Sequence, residues 1–101
     1  MENIYKIIWS DEALFNLKSI IEYLENRWTE REIKKFVFLL DNQLRLIQIN
    51  PLLFPISKIS TGLRNSVLTK QVSIYYRIFE NEIHLITLFD NRQNPKKLKN
   101  K

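Results

Sequence analysis

Two periods of apolar spacing divide this chain, a helical one in its first half and an alternating one in its second. Ile4 to Trp9 is β-branched and aromatic with a single charge, which predicts a short strand. Beyond it Ala13, Leu14, Leu17, Ile20, Ile21, Leu24 and Trp28 recur at the spacing of one helical face. The helix is expected from about Asp11 to Arg27. Ser10 is its cap, and Asp11 and Glu12 suit the positive end of its dipole. Thr29-Glu30-Arg31-Glu32 has the capping-box spacing, so a second helix starts almost where the first stops. Its apolar set is Ile33, Phe36, Val37, Leu40, Leu44 and Ile47. It ends before Asn50-Pro51, because the residue preceding proline avoids the α region. So short a link makes the two helices an antiparallel hairpin. Lys18, Glu22, Glu25, Arg31, Lys34, Lys35, Asp41 and Arg45 fall on the outer faces and read as solvated surface.

Asn50 to Thr61 reads as a loop, with Leu52, Leu53, Phe54 and Ile56 packing on the core edge. Gly62, the only glycine, supplies a turn that other residues resist. Leu63–Thr69, Val72–Phe79 and Ile83–Phe89 then read as three strands of an antiparallel meander, turning at Lys70-Gln71 and Asn81-Glu82. In the middle strand Ile74, Tyr76 and Ile78 share one face, and Tyr75, Arg77 and Phe79 the other. A two-residue turn at Asn81-Glu82 sets Phe79 opposite His84 and Arg77 opposite Ile86. The last strand is the most apolar and is expected in the centre, with the N-terminal strand beside it. The helix hairpin needs an apolar surface to cover, and one sheet face provides it. The expected fold class is α+β: a two-layer β-α-α-β-β-β arrangement, with the hairpin packed on a small, mainly antiparallel sheet. Residues 1–101 form one domain.

Composition removes several kinds of chemistry. The chain has no cysteine, one histidine and one glycine. These counts exclude a disulfide framework, a thiolate site, a cysteine nucleophile and a glycine-rich phosphate loop. No paired-histidine spacing points to zinc, so neither metal nor cofactor is expected. The N-terminus lacks the basic-then-apolar layout of a signal peptide, and no apolar run approaches a membrane span. A cytoplasmic protein without a membrane partner is the expectation.

Charge adds a direction. Residues 1–50 hold 7 Lys/Arg against 8 Asp/Glu, and residues 51–101 hold 9 against 3. The whole excess of +5 therefore lies in the second half, which suits an acidic partner. Arg64, Lys70, Arg77, His84 and Arg92 lie there, with Tyr75 and Phe79 interleaved and Lys96, Lys97 and Lys99 behind. Arg grips phosphate bidentately, Lys adds point charge, and aromatic rings offer stacking surfaces. An unperturbed imidazole has its pKa near neutrality, which makes His84 the candidate general acid or base. The bland alternative makes Tyr75 and Phe79 core and Arg77 the partner of a buried carboxylate.

A longer pattern runs through these residues: Ile49-Asn50-Pro51, Phe54-Pro55, Leu63-Arg64, Val67-Leu68, Ile74-Tyr75-Tyr76-Arg77-Ile78, Ile83 to Ile86, and Asp90-Asn91-Arg92-Gln93-Asn94-Pro95. It resembles the RelE/ParE family of bacterial toxins, the toxin halves of type II toxin–antitoxin modules, also called plasmid-stabilisation proteins. The resemblance implies the two-layer fold and a small cognate antitoxin whose extended or helical C-terminal segment wraps the toxin and masks its basic surface. It implies growth inhibition, through DNA gyrase for ParE-like members. For RelE-like members it implies metal-independent mRNA cleavage on the ribosome. Arg64 stands where one ribonuclease basic residue is expected. Ser73 stands where the ribonucleases tend to have Arg, and Asp90 disfavours phosphate at that edge. Arg77 in its Tyr-Arg-Ile strand looks more ParE-like. Expected contacts for target or antitoxin are Arg64, Lys70, Tyr75, Arg77, Arg92, Lys96 and Lys97. Catalytic candidates, for an enzyme, are Arg64, Arg77, His84 and Arg92. A non-toxic binding module derived from the family is the remaining alternative.

Overall fold

Ser10 ties the two ends of the chain together. In the computed structural model, which describes residues 4–27, 29–58 and 62–91, strand β1 (Lys6–Trp9) runs directly into helix α1 (Asp11–Arg27). The Ser10 hydroxyl accepts from the Ala13 N–H at 3.0 Å, which caps α1 as expected. The same hydroxyl donates to the Ile86 carbonyl at 2.9 Å, 76 positions away. Helix α2 (Glu30–Ile49) follows, then one 3-10 turn at Pro51–Leu53 and strands β2 (Arg64–Val67), β3 (Val72–Phe79) and β4 (Glu82–Asp90). Thr29 is the N-cap of α2, but its side chain makes no capping bond, so the capping box is present in spacing only.

The sheet order is β1-β4-β3-β2, with β1 parallel to β4 and the other pairs antiparallel. The last strand is central, and the helix hairpin carries the chain from one edge of the sheet to the other. This is the two-layer α+β arrangement that the periodicity predicts. Ala13, Leu40 and Ile47 from the helices meet Ile74, Tyr76, Ile83, Leu85 and Leu88 from the sheet in one buried cluster. The charged residues assigned to the outer helix faces are all exposed. Val37 and Leu14, assigned to the apolar faces, are 42% and 49% exposed, so each helix buries a narrower stripe than its pattern suggests. Among the described residues no helix is long and apolar enough to cross a membrane.

Three features differ from expectation. Strand β2 stops at Val67 because the Thr69 hydroxyl accepts from the N–H groups of Gln71 and Val72, at 3.2 and 3.1 Å. That turn draws residues 68–71 out of the ladder. The β3–β4 turn is Glu80-Asn81, one residue earlier than predicted, with Glu80 in the left-handed region at φ 54°. This register pairs Ile78 with Ile83 on the core face and sets Arg77, not Phe79, opposite His84. Thirdly, Leu52, Leu53 and Ile56 are 64%, 58% and 58% exposed instead of packing on the core edge. Only Phe54 of that group packs against the main cluster.

Strand β4 also carries a bulge. Tyr75 pairs with Thr87 but Tyr76 pairs with Leu85, so Ile86 has no residue opposite. The bulge lets Leu85 and Leu88, three positions apart, share the core face. Its loosened backbone groups are satisfied from outside the sheet. Ser10 serves the Ile86 carbonyl, and the Asn16 side-chain oxygen accepts from the Leu88 N–H at 3.2 Å and the Thr87 hydroxyl at 2.8 Å.

Tyr76 is fully buried and its hydroxyl donates to the Pro51 carbonyl at 2.6 Å. Burial pushes the hydroxyl up to about 12, with the nearby Arg64 charge opposing.

Ser10→Ala is expected to destabilise the fold by about 2 kcal/mol, at the upper end of cap losses because the Ile86 carbonyl loses its donor as well. Urea denaturation measures it. Tyr76 stays protonated in the folded state above the pH at which the unfolded chain ionises it. Its stabilising contribution is therefore complete below pH 10 and is lost as pH rises towards 12. Tyr76→Phe should flatten that alkaline fall in stability, at a cost of about 1–3 kcal/mol at neutral pH from the unpaired Pro51 carbonyl.

Candidate functional site

Opposed residues in a sheet share a face, so the pairings decide which candidates meet. The helices cover the face that holds Tyr76, Ile83 and Leu85. On the far face Arg77 is paired with His84, Phe79 with Glu82, and Asn65 with Tyr75. Across the parallel pair, Ile8 lies beside His84 and Lys6 beside Glu82. His84 is therefore central, with Arg77 on one flank and Ile8 on the other.

One carboxylate stands among the basic groups. The His84 Nε2 lies 3.1 Å from the Glu82 Oε1, and both side chains are half-exposed. Two neighbouring cross-strand rows result, Lys6-Glu82-Phe79 and Ile8-His84-Arg77, each spanning three strands. Phe79 meets the His84 ring edge-on, with centroids 6.4 Å apart at 85°. Gly62 takes φ 85° beside this cluster, and a Cβ placed on it would lie 3.9 Å from the Arg77 Nε. Further along the face, Tyr75 and Phe89 form an edge-to-face pair at 6.1 Å, packed with Leu63 and Ile86. Burial raises the Tyr75 hydroxyl above its ordinary value. Tyr75 and Phe89 are thus core-like, whereas Phe79 is 62% exposed.

Arg64 belongs elsewhere. It pairs with Tyr76 and so lies on the helix-side face, where its Nη1 donates to the Phe54 carbonyl at 2.7 Å. Ser66, two residues on, is bonded there by Gln43 of α2. Lys70 sits in the β2–β3 turn, and its carbonyl accepts from the Asn91 side chain. Seven positions apart in the chain, Lys70 and Arg77 stand roughly 20 Å from each other along the strand direction. Arg92, Lys96, Lys97 and Lys99 lie outside the described residues. The structure therefore brings together Arg77 and His84, separates Arg64 and Lys70 from them, and adds Lys6 and Glu82. The alternation Glu82-Ile83-His84-Leu85 carries the signal for Glu82. Lys6 needed the parallel pairing. Ser73 is buried and donates to the Asn91 side-chain oxygen at 3.1 Å.

Chemically, the far face offers a cation, an imidazole and a carboxylate within one cross-strand neighbourhood. Arg77 suits an anionic partner group, but a phosphate set between Arg77 and His84 meets like charge from Glu82. A protein carboxylate paired to Arg77, with an apolar group on Phe79 and Ile8, meets less opposition. Among the described residues no group of His, Asp and Glu is arranged to hold a metal ion. A separate concavity of about 590 Å³ lies on the helix side, lined by Ile20, Leu24, Phe36, Leu68, Val72 and Leu88. None of the candidates among the described residues lines it.

The fold is that of the ParE and YoeB toxins. A chain of the chromosomal ParDE TA system from P. aeruginosa superposes with a TM-score of 0.72 at 18% identity, covering 87% of this chain and 97% of that one. The YoeB/ParE toxin from Agrobacterium tumefaciens gives 0.61 at 15% identity, covering 85% and 98%. A chain of the YoeB-YefM complex from Staphylococcus aureus gives 0.57 at 20% identity, covering 84% and 94%. No family model matches the chain, and no curated protein matches it.

Arg64→Ala is expected to lower stability by about 1–3 kcal/mol, since it leaves the Phe54 carbonyl without its charged donor. Thermal or urea unfolding should show this loss. A stability unchanged in Arg64→Ala would mean that the side chain is free to serve the far face instead.

Proposed function

We propose that this chain is the toxin of a type II toxin–antitoxin module, cytoplasmic and held inactive by an antitoxin. We read it as ParE-like, inhibiting growth through protein contacts with DNA gyrase. The shared fold with ParE and YoeB toxins supports the toxin reading. The observation that carries the ParE-like branch is the separation of the cations. Arg64 and Arg77 lie on opposite faces of the sheet, and Glu82 stands among the far-face cations. Three arginines closing on one scissile phosphate is the less natural reading of that geometry.

The second reading, an mRNA endoribonuclease on the ribosome, draws on one specific feature: Arg77 directly opposite His84. In it His84 exchanges the 2′-OH proton and Arg77 balances phosphate charge.

Induced expression should arrest growth, and coexpression of the adjoining reading frame should relieve it. Purified protein should abolish gyrase supercoiling and leave ribosome-bound mRNA intact. Codon-phased cleavage with normal supercoiling would sink the ParE-like branch. Unchanged growth would sink the toxin reading in favour of a non-toxic binding module. Arg77→Ala should weaken toxicity about tenfold or more. Lys34→Ala, on the solvated face of α2 where Lys34 sits 3.4 Å from Glu30, should have no effect.

A further inference from the structure

The end of α2 and the segment joining it to β2 display apolar side chains where a connecting loop usually carries polar ones. Ile49, Leu52, Leu53 and Ile56 are 60%, 64%, 58% and 58% exposed. Leu46 to Ser57 contains no charged residue, in a chain that is 27% charged. Neutral apolar surface of this kind marks an interaction site.

The segment is also held stiffly. Pro51 is buried and its carbonyl is bonded by the Tyr76 hydroxyl, while the Phe54 carbonyl is bonded by Arg64. Leu52 and Leu53 lie between these two anchored carbonyls. A protrusion fixed in advance loses little entropy when a partner covers it.

Its continuation is a sheet edge. The Pro55 carbonyl accepts from the Asn65 N–H at 3.0 Å, and the Ser57 N–H donates to the Leu63 carbonyl at 2.6 Å. Ile56, bridged to Arg64, lies between these bonds. In an antiparallel pair such a residue turns its own N–H and C=O the other way. Ile56 therefore presents a backbone donor and acceptor along the outer edge, beside the exposed leucines. An apolar knob next to a free strand edge suits an extended chain that adds by backbone pairing. Exposed cations, Arg45 and Lys58, lie on either side of the neutral run.

We propose that this corner anchors an extended segment of the antitoxin, one whose apolar side chains are flanked by carboxylates. The proposal rests on the toxin reading above. The segment pairs with Ile56, covers Leu52 and Leu53, and sets its carboxylates against Arg45 and Lys58. A partner bound throughout the resting state gives such a surface the steady cover that a transient target does not. A second copy of this chain brings a net charge of +5 against like charge.

The test uses the full chain and the purified product of the adjoining reading frame. The variants are Leu52→Ser/Leu53→Ser and, separately, Ile56→Pro, which removes the edge donor and spares the inward bonds of Pro55 and Ser57. Both should unfold near the wild-type urea midpoint, since the altered groups face solvent. The double variant should bind the probe about 100-fold more weakly, at low and high salt alike. The Ile56 amide should exchange quickly in the free protein and slowly in the complex. In cells the double variant should still arrest growth, and coexpression should no longer rescue it. Affinity within twofold of wild type, or Ile56 exchange unchanged by binding, overturns the proposal. So does a folded double variant that no longer arrests growth, because the corner then serves the target. Loss of a wild-type dimer, or of binding to anionic vesicles, in place of the affinity loss also overturns it. A wild type that never arrests growth defeats the toxin reading, while the affinity and exchange data still decide the docking site.

Discussion

The bulge at Ile86 is the constraint on which the rest of the sheet depends. Strand β4 is central, and its side chains must fill the core from both ends of the strand. Regular alternation from Ile83 and Leu85 would send Thr87 into the core and turn Leu88 away. One extra residue restores Leu88 to the helix side, a gain of about 2 kcal/mol from burying it. That gain holds only if the loosened backbone groups find partners. Ser10 and Asn16, at the start of the first helix, are those partners. Ser10 fixes where α1 begins, and the two together fix how it sits on the sheet. Helix placement and strand register are thus one decision, made by three hydrogen bonds across the length of the chain.

This arrangement divides labour between the two faces of the sheet. On the helix side, Tyr76 and Arg64 use strong polar groups to anchor carbonyls of the segment after α2. On the far side, two adjacent rows, Lys6-Glu82-Phe79 and Ile8-His84-Arg77, set one carboxylate among basic groups. A set of cations that looks continuous in the sequence is therefore split between scaffolding and display. A fold shared with ParE and YoeB toxins is compatible with different targets, because activity resides in the residues grafted on it.

Much of the architecture was legible before any coordinates. The switch from helical to alternating apolar spacing marked the hairpin and the meander, and Ser10 and Pro51 marked where helices begin and end. The most apolar strand proved central, as burial on both flanks demands. The misjudged positions have a common cause. The Glu80-Asn81 turn, the narrow apolar stripes of the helices and the exposure of Leu52, Leu53 and Ile56 all depend on which residues stand opposite one another. Local pattern states what a residue prefers; it does not state which partner is within reach.

For this protein the amino-acid sequence alone determined the elements, their order, the two-layer architecture and the location of the excess charge. Those properties follow from local propensity and periodicity, which act over a few residues. Only the tertiary structure decided that Arg64 turns inward, that Arg77 faces His84 and that Glu82 and Lys6 join them. It also decided that the loop after α2 protrudes as a stiff apolar corner. Each of these depends on strand register and on hydrogen bonds between distant residues, and a one-residue shift in register changes every one of them.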